Sequence, residues 1–128
     1  MFTEDVYDRI DGYFQKDNKK ASVEIKGRNK QYESFDTHLM ECSKYDAMIK
    51  DMEEKKLDSA FYACFFGDDT LYMYNIKKIK DNSTIERRRC PRCTSANAGW
   101  CWKDCYMIDK SIATIFRKAN DKWIKSEN

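Results

Sequence analysis

The chain has 128 residues, of which 41% are hydrophobic and 36% charged, and a formal charge of +2. That length supports one compact domain with a modest core and a small appendage at most, and a second full domain is not expected. Acidic and basic side chains nearly cancel, so any attraction for nucleic acid has to come from local patches rather than from the field of the whole molecule. No apolar run approaches the length of a membrane span, and Glu4, Asp5 and Asp8 come too early for a signal peptide. A cytoplasmic protein with no membrane partner is therefore expected.

Residues 3 to 9 read as a short helix with Phe2, Val6 and Ile10 on its inner side. Ile10, Gly12 and Phe14 then alternate with Asp11, Tyr13 and Gln15, the period of a strand. Asp17-Asn18 suits a two-residue hairpin turn, since both residue types tolerate positive φ. The returning strand is Ala21 to Arg28, in which Ser22, Glu24 and Lys26 share one face and Ala21, Val23 and Ile25 the other. If Lys16 pairs with Lys19, Asp11 falls opposite Glu24. Opposed like charges destabilise a ladder, and a divalent cation between the carboxylates removes that cost. Two oxygen ligands with open water sites suit magnesium or manganese. Lys26 is then placed to stabilise a phosphate or to orient the attacking water. The competing reading is a solvated charged face.

Asn29 to Asp36 reads as a polar loop near this site. A helix follows from about Ser43 to Lys56, with Tyr45, Met48, Ile49 and Met52 as its core stripe. Ser59 to Phe66 is nearly continuous apolar sequence, as in a central strand covered on both faces, and Cys64 in it is expected to be a buried hydrophobe. Gly67-Asp68-Asp69 turns the chain into an antiparallel strand from Thr70 to Ile76. His38, the one histidine, reads as a loop or helix-edge residue without catalytic duty. Near the end, Ser111 is expected to cap a helix carrying Ile112, Ile115, Phe116, Trp123 and Ile124, and Lys122 to Asn128 to fray.

Arg87-Arg88-Arg89 forms a basic patch that runs into Cys90-Pro91-Arg92-Cys93, and Cys101 and Cys105 follow after seven intervening residues. In a cytosolic chain such pairs point to a metal rather than to disulfides. Four thiolates suit a structural zinc ion, because they leave no coordination position open for chemistry. Residues 87 to 107 then form a cysteine-rich, zinc knuckle-like insertion, in which Arg87, Arg88, Arg89 and Arg92 can meet phosphates. The alternative is an ordinary packed strand with Trp100 and Trp102, containing chance cysteines. No Gly-rich phosphate loop, serine nucleophile elbow or internal repeat is present, so no organic cofactor is expected and the nucleophile of any hydrolysis should be water.

Asp11 followed by Glu24-Ile25-Lys26 resembles the signature of the PD-(D/E)xK nuclease superfamily, which includes restriction endonucleases, junction resolvases and phage-encoded nucleases. Ile10 stands where the family name has proline. Glu41-Cys42-Ser43-Lys44-Tyr45 is similar to the start of the helix beside the active site in that superfamily, with Glu41 or Lys44 as its accessory polar residue. The likeness covers roughly residues 1 to 80. It implies an α/β domain with a restriction-endonuclease-like core, a mixed central sheet flanked by helices, spanning residues 1 to 128 as one unit. It also implies metal-dependent hydrolysis of DNA, with magnesium held by Asp11, Glu24 and the Ile25 carbonyl, and Lys26 orienting water. Arg28 joins the arginines above as a candidate nucleic-acid contact. By the same analogy the chain is expected to work in a host cytoplasm as a phage or mobile-element product, either as a homodimer or with low sequence specificity. The competing class is a non-catalytic, zinc-stabilised module that binds nucleic acid or a protein.

Overall fold

The computed structural model describes residues 12–28, 36–91 and 99–126. Strands β1 (Gly12–Lys16) and β2 (Lys19–Arg28) form the expected hairpin. Asp17 and Asn18 have φ of 52° and 66°, and Lys16 pairs with Lys19. Two consecutive left-handed residues match the twist of the flanking strands, so turn chemistry sets the register here. The short strand β3 (Thr37–Glu41) leads into α1 (Cys42–Glu54), and β4 (Ser59–Phe66) returns alongside β2 in parallel. A parallel neighbour requires a crossover, and α1 supplies it.

An antiparallel hairpin joins β4 to β5 (Thr70–Asn75) through a turn where Asp69 has φ 62° and the Thr70 hydroxyl donates to the Asp68 carboxylate. Helix α2 (Ile76–Ile79) follows, started by the Asn75 side chain accepting from the Lys77 amide at 3.1 Å. Then come β6 (Ser83–Pro91), β7 (Trp100–Asp109), β8 (Thr114–Ala119) and β9 (Lys122–Lys125). Among the described residues these strands make a mixed six-stranded sheet in the order β1-β2-β4-β5-β8-β9 and a three-stranded antiparallel sheet in the order β3-β7-β6. The molecule is mostly sheet with two short helices, an α/β arrangement around a curled mixed sheet.

The core lies where the second sheet and both helices meet one face of the first. Met40, Tyr106 and Ile108 from the small sheet, Met48 from α1, and Ile76 and Ile79 from α2 pack against Tyr62, Cys64, Tyr72 and Tyr74. Tyr45, Ile49 and Met52 join Met48 along the expected stripe of α1. On the opposite face Ala63 and Leu71 are buried, with Phe14 stacked on Phe61 at 6.2 Å and Trp123 edge-on to Phe65 at 5.3 Å. Strand β4 is therefore covered on both sides, as its apolar run demands. No helix among the described residues is long and apolar enough to cross a membrane.

Four expectations are corrected. The C-terminal helix is a hairpin: Asn120 and Asp121, at φ 52° and 63°, repeat the turn chemistry of Asp17-Asn18, and β8 takes the free edge of β5. Ser111 caps no α-helix but sits in a 3-10 turn, its amide held by Asp109 at 3.0 Å. Lys122 to Lys125 are paired as β9 rather than frayed. His38 lies in β3 and is only 3% exposed, in the core instead of a loop. The expected helix at residues 3 to 9 and most of the loop from Asn29 lie outside the described residues.

Candidate functional site

Ser22, Glu24 and Lys26 share a face of β2 that is buried at its start and open to solvent at Lys26. Ser22 is fully buried and Glu24 only 8% exposed, while Lys26 lies in solvent. Parallel pairing sets Glu24 beside Tyr62 and Lys26 beside Cys64. The crossover helix closes over the row, and Lys44 in its first turn brings its ammonium Nζ to 3.0 Å from Glu24 Oε1. In this little-hydrated place the attraction is screened less than at the surface. Asp11, which the register would bring opposite Glu24, lies outside the described residues.

The two candidate accessory residues separate. Lys44 meets Glu24, whereas Glu41, at the end of β3, reaches into the small sheet and pairs with Lys103 at 2.6 Å. Arg28, the candidate nucleic-acid contact on β2, is half-buried and bonded within the fold. Its Nη2 donates to the Leu39 carbonyl at 2.7 Å and to the Tyr62 hydroxyl at 3.3 Å, and Tyr62 donates to the same carbonyl at 2.9 Å. These bonds tie β2 to β3 and β4, a use of arginine that a stretch of charged sequence does not advertise. Burial pushes the Tyr62 and Cys64 groups up, while the adjacent guanidinium pulls both down.

The β6–β7 hairpin has two distinct faces. Directly opposed residues of an antiparallel pair share a face, and the register opposes Cys90 to Cys101, Arg88 to Lys103 and Glu86 to Cys105. Three of the four clustered cysteines thus belong to one face. The Cys90 and Cys105 sulfurs are 3.7 Å apart, both residues being buried. Burial first, then the Cys90 thiol, pushes the Cys105 thiol up to about 12. Cys93 and Arg92 lie outside the described residues, and among the described residues alone no group of three or more metal-ligating side chains is gathered. The other face carries Arg87 and Arg89 opposed to Asp104 and Trp102. Arg87 and Arg89 are exposed, and so is Arg88 on the cysteine face. In the sequence the arginines look like one patch; strand alternation divides them and sets two with the tryptophans, a grouping that the period of two could have revealed.

No family model, no curated protein and no solved structure matches the chain.

Proposed function

We propose that the protein is a metal-dependent nuclease that hydrolyses phosphodiester bonds in DNA, built on a PD-(D/E)xK-like core. The observation that carries this reading is the Glu24–Lys44 pair at 3.0 Å between β2 and the helix that crosses to β4. It joins Glu24 to one of the two accessory residues that the resemblance offers, in a β-α-β unit whose hairpin pairs Lys16 with Lys19. Charged side chains are rarely turned inward without a partner or a task.

The donor chemistry fits a hard divalent cation. An inward carboxylate that already draws an ammonium to it offers what magnesium or manganese needs, with Asp11 and the Ile25 carbonyl as further oxygen ligands. Bound there, the ion would offset charge on the reacting phosphate. Lys26, exposed two residues along the same face, orients water against the phosphorus and opposes the charge that develops on its oxygens. Lys44 holds the Glu24 carboxylate in position. The cysteines suit a structural zinc ion: the 3.7 Å between the Cys90 and Cys105 sulfurs is close to the edge, about 3.8 Å, of a tetrahedron with Zn–S bonds of about 2.3 Å. Cys93 and Cys101 would complete the set.

The test is cleavage of labelled single-stranded, duplex and branched DNA with magnesium or manganese, beside Glu24→Ala and Lys26→Ala. Metal-dependent cutting by the wild type, lost in both variants while Lys26→Ala still binds DNA, is expected. A folded wild type that cuts none of the three substrates overturns the nuclease and leaves the non-catalytic binding module, which the two-faced β6–β7 hairpin favours.

A further inference from the structure

Along one face of the β6–β7 hairpin, Tyr106 and Ile108 are buried in the core. Past Asp104 the same face is uncovered. Trp102 is 61% and Trp100 57% exposed, and Ile85, opposite Tyr106 on the partner strand, is 62% exposed. A folded chain does not leave two neighbouring indoles in water for stability, because burying either would gain free energy. Arg89 lies with its guanidinium 5.5 Å from the centre of the Trp100 ring. Arg87 is next on that face, paired at 3.5 Å with Asp104 where both side chains are exposed, a contact that contributes little. Two flat aromatic surfaces interleaved with two available guanidinium groups match the pattern that stacks unpaired bases and neutralises the phosphates between them. A paired duplex hides the base faces that such rings would contact. The occupant that this face fits is therefore a single strand.

We propose that the Trp100–Trp102 face of the β6–β7 hairpin binds single-stranded nucleic acid, with bases stacked on the two indoles and phosphates met by Arg87 and Arg89. This rests on reading the protein as one that acts on nucleic acid, and it names the form of strand engaged.

Fluorescence anisotropy of labelled dT20, U20 and a 20-base-pair DNA duplex tests this with the protein as isolated, in wild type, Trp100→Ala, Trp102→Ala, Trp102→Phe and Arg87→Ala/Arg89→Ala. Each alanine at a tryptophan should weaken dT20 binding roughly 5-fold or more, with much of that loss restored by Trp102→Phe and little change for the duplex. The double arginine variant should lower the slope of log affinity against log salt by about 1.4, or about 0.7 for each phosphate no longer neutralised. The dT20 and U20 arms separate DNA from RNA as the source of the strand. Tryptophan variants that bind dT20 as the wild type does, or lose single strand and duplex equally, overturn the proposal. Tryptophan-dependent binding of dT20 by a wild type that cuts nothing supports the platform and refutes the nuclease. Cutting that needs Lys26 but not the tryptophans, with dT20 binding unchanged in their variants, supports the nuclease and overturns the platform.

Discussion

Replacing His38 with Gln should flatten the acid limb of the protein's stability curve. The imidazole sits between the rings of Phe66 and Tyr72, with centroids 4.8 and 4.7 Å away, and its Nδ1 is 2.5 Å from the Tyr74 hydroxyl. Its Nε2 has no hydrogen-bond partner among the described residues. Burial first, then the positive charges of Arg28 and Lys110, lower its pKa from 6.5 to about 4. Between those two values the unfolded chain takes up a proton that the folded chain refuses, so stability falls as pH falls. At 1.36 kcal/mol per pH unit the loss approaches about 3 kcal/mol below the folded pKa, with about 2 kcal/mol gone by pH 5 and almost none above pH 7. Urea unfolding followed by tryptophan fluorescence at several pH values from 7.5 to 5 reads this out. The quantity compared is the slope with pH, because the loss of ring packing in the variant offsets its stability equally at every pH. Parallel loss in both proteins over that range would refute the reasoning. So would a wild-type imidazole seen by NMR to titrate near 6.5 in the folded state.

The Glu24–Lys44 pair sets the next expectation. Lys44→Met should cost roughly 1.5–3 kcal/mol in urea unfolding, because it removes the ammonium that stands 3.0 Å from a nearly buried carboxylate; a neutral change would mean that the surroundings of the carboxylate hold it as well without Lys44. At the hairpin turn, Asn18 has φ 66°, so Asn18→Val, which is β-branched, should lower stability by about 1–2 kcal/mol, and an unchanged thermal midpoint would show the turn free to adopt another geometry. For the cysteines, purified protein should carry one zinc ion per chain by elemental analysis, lost in Cys90→Ala and in Cys105→Ala; a folded, metal-free wild type would remove zinc from the account.

Several features were legible in the chain itself because they depend on neighbours in sequence. Asp17-Asn18 dictated a two-residue turn and with it the register of β1 on β2. The methionine, tyrosine and isoleucine stripe dictated α1, and the apolar run of β4 dictated a strand covered on both faces. The same local rule was present at Asn120-Asp121, but the helical spacing of Ile112, Ile115 and Phe116 competed with it. Only the free edge of β5, which is a tertiary fact, decided for a hairpin. Facing was decided in the same way. Alternation places Glu24 and Lys26 on a common side, yet α1 landing on that side is what turns Glu24 inward and brings Lys44 to it. Arg28 and His38 are polar residues that composition assigns to the surface. The second sheet folding onto the first buries His38 and half-buries Arg28, and long-range hydrogen bonds and ring contacts make that tolerable. Sequence periodicity determines which side chains share a face; the packing of distant elements determines whether that face meets water, a core or a ligand.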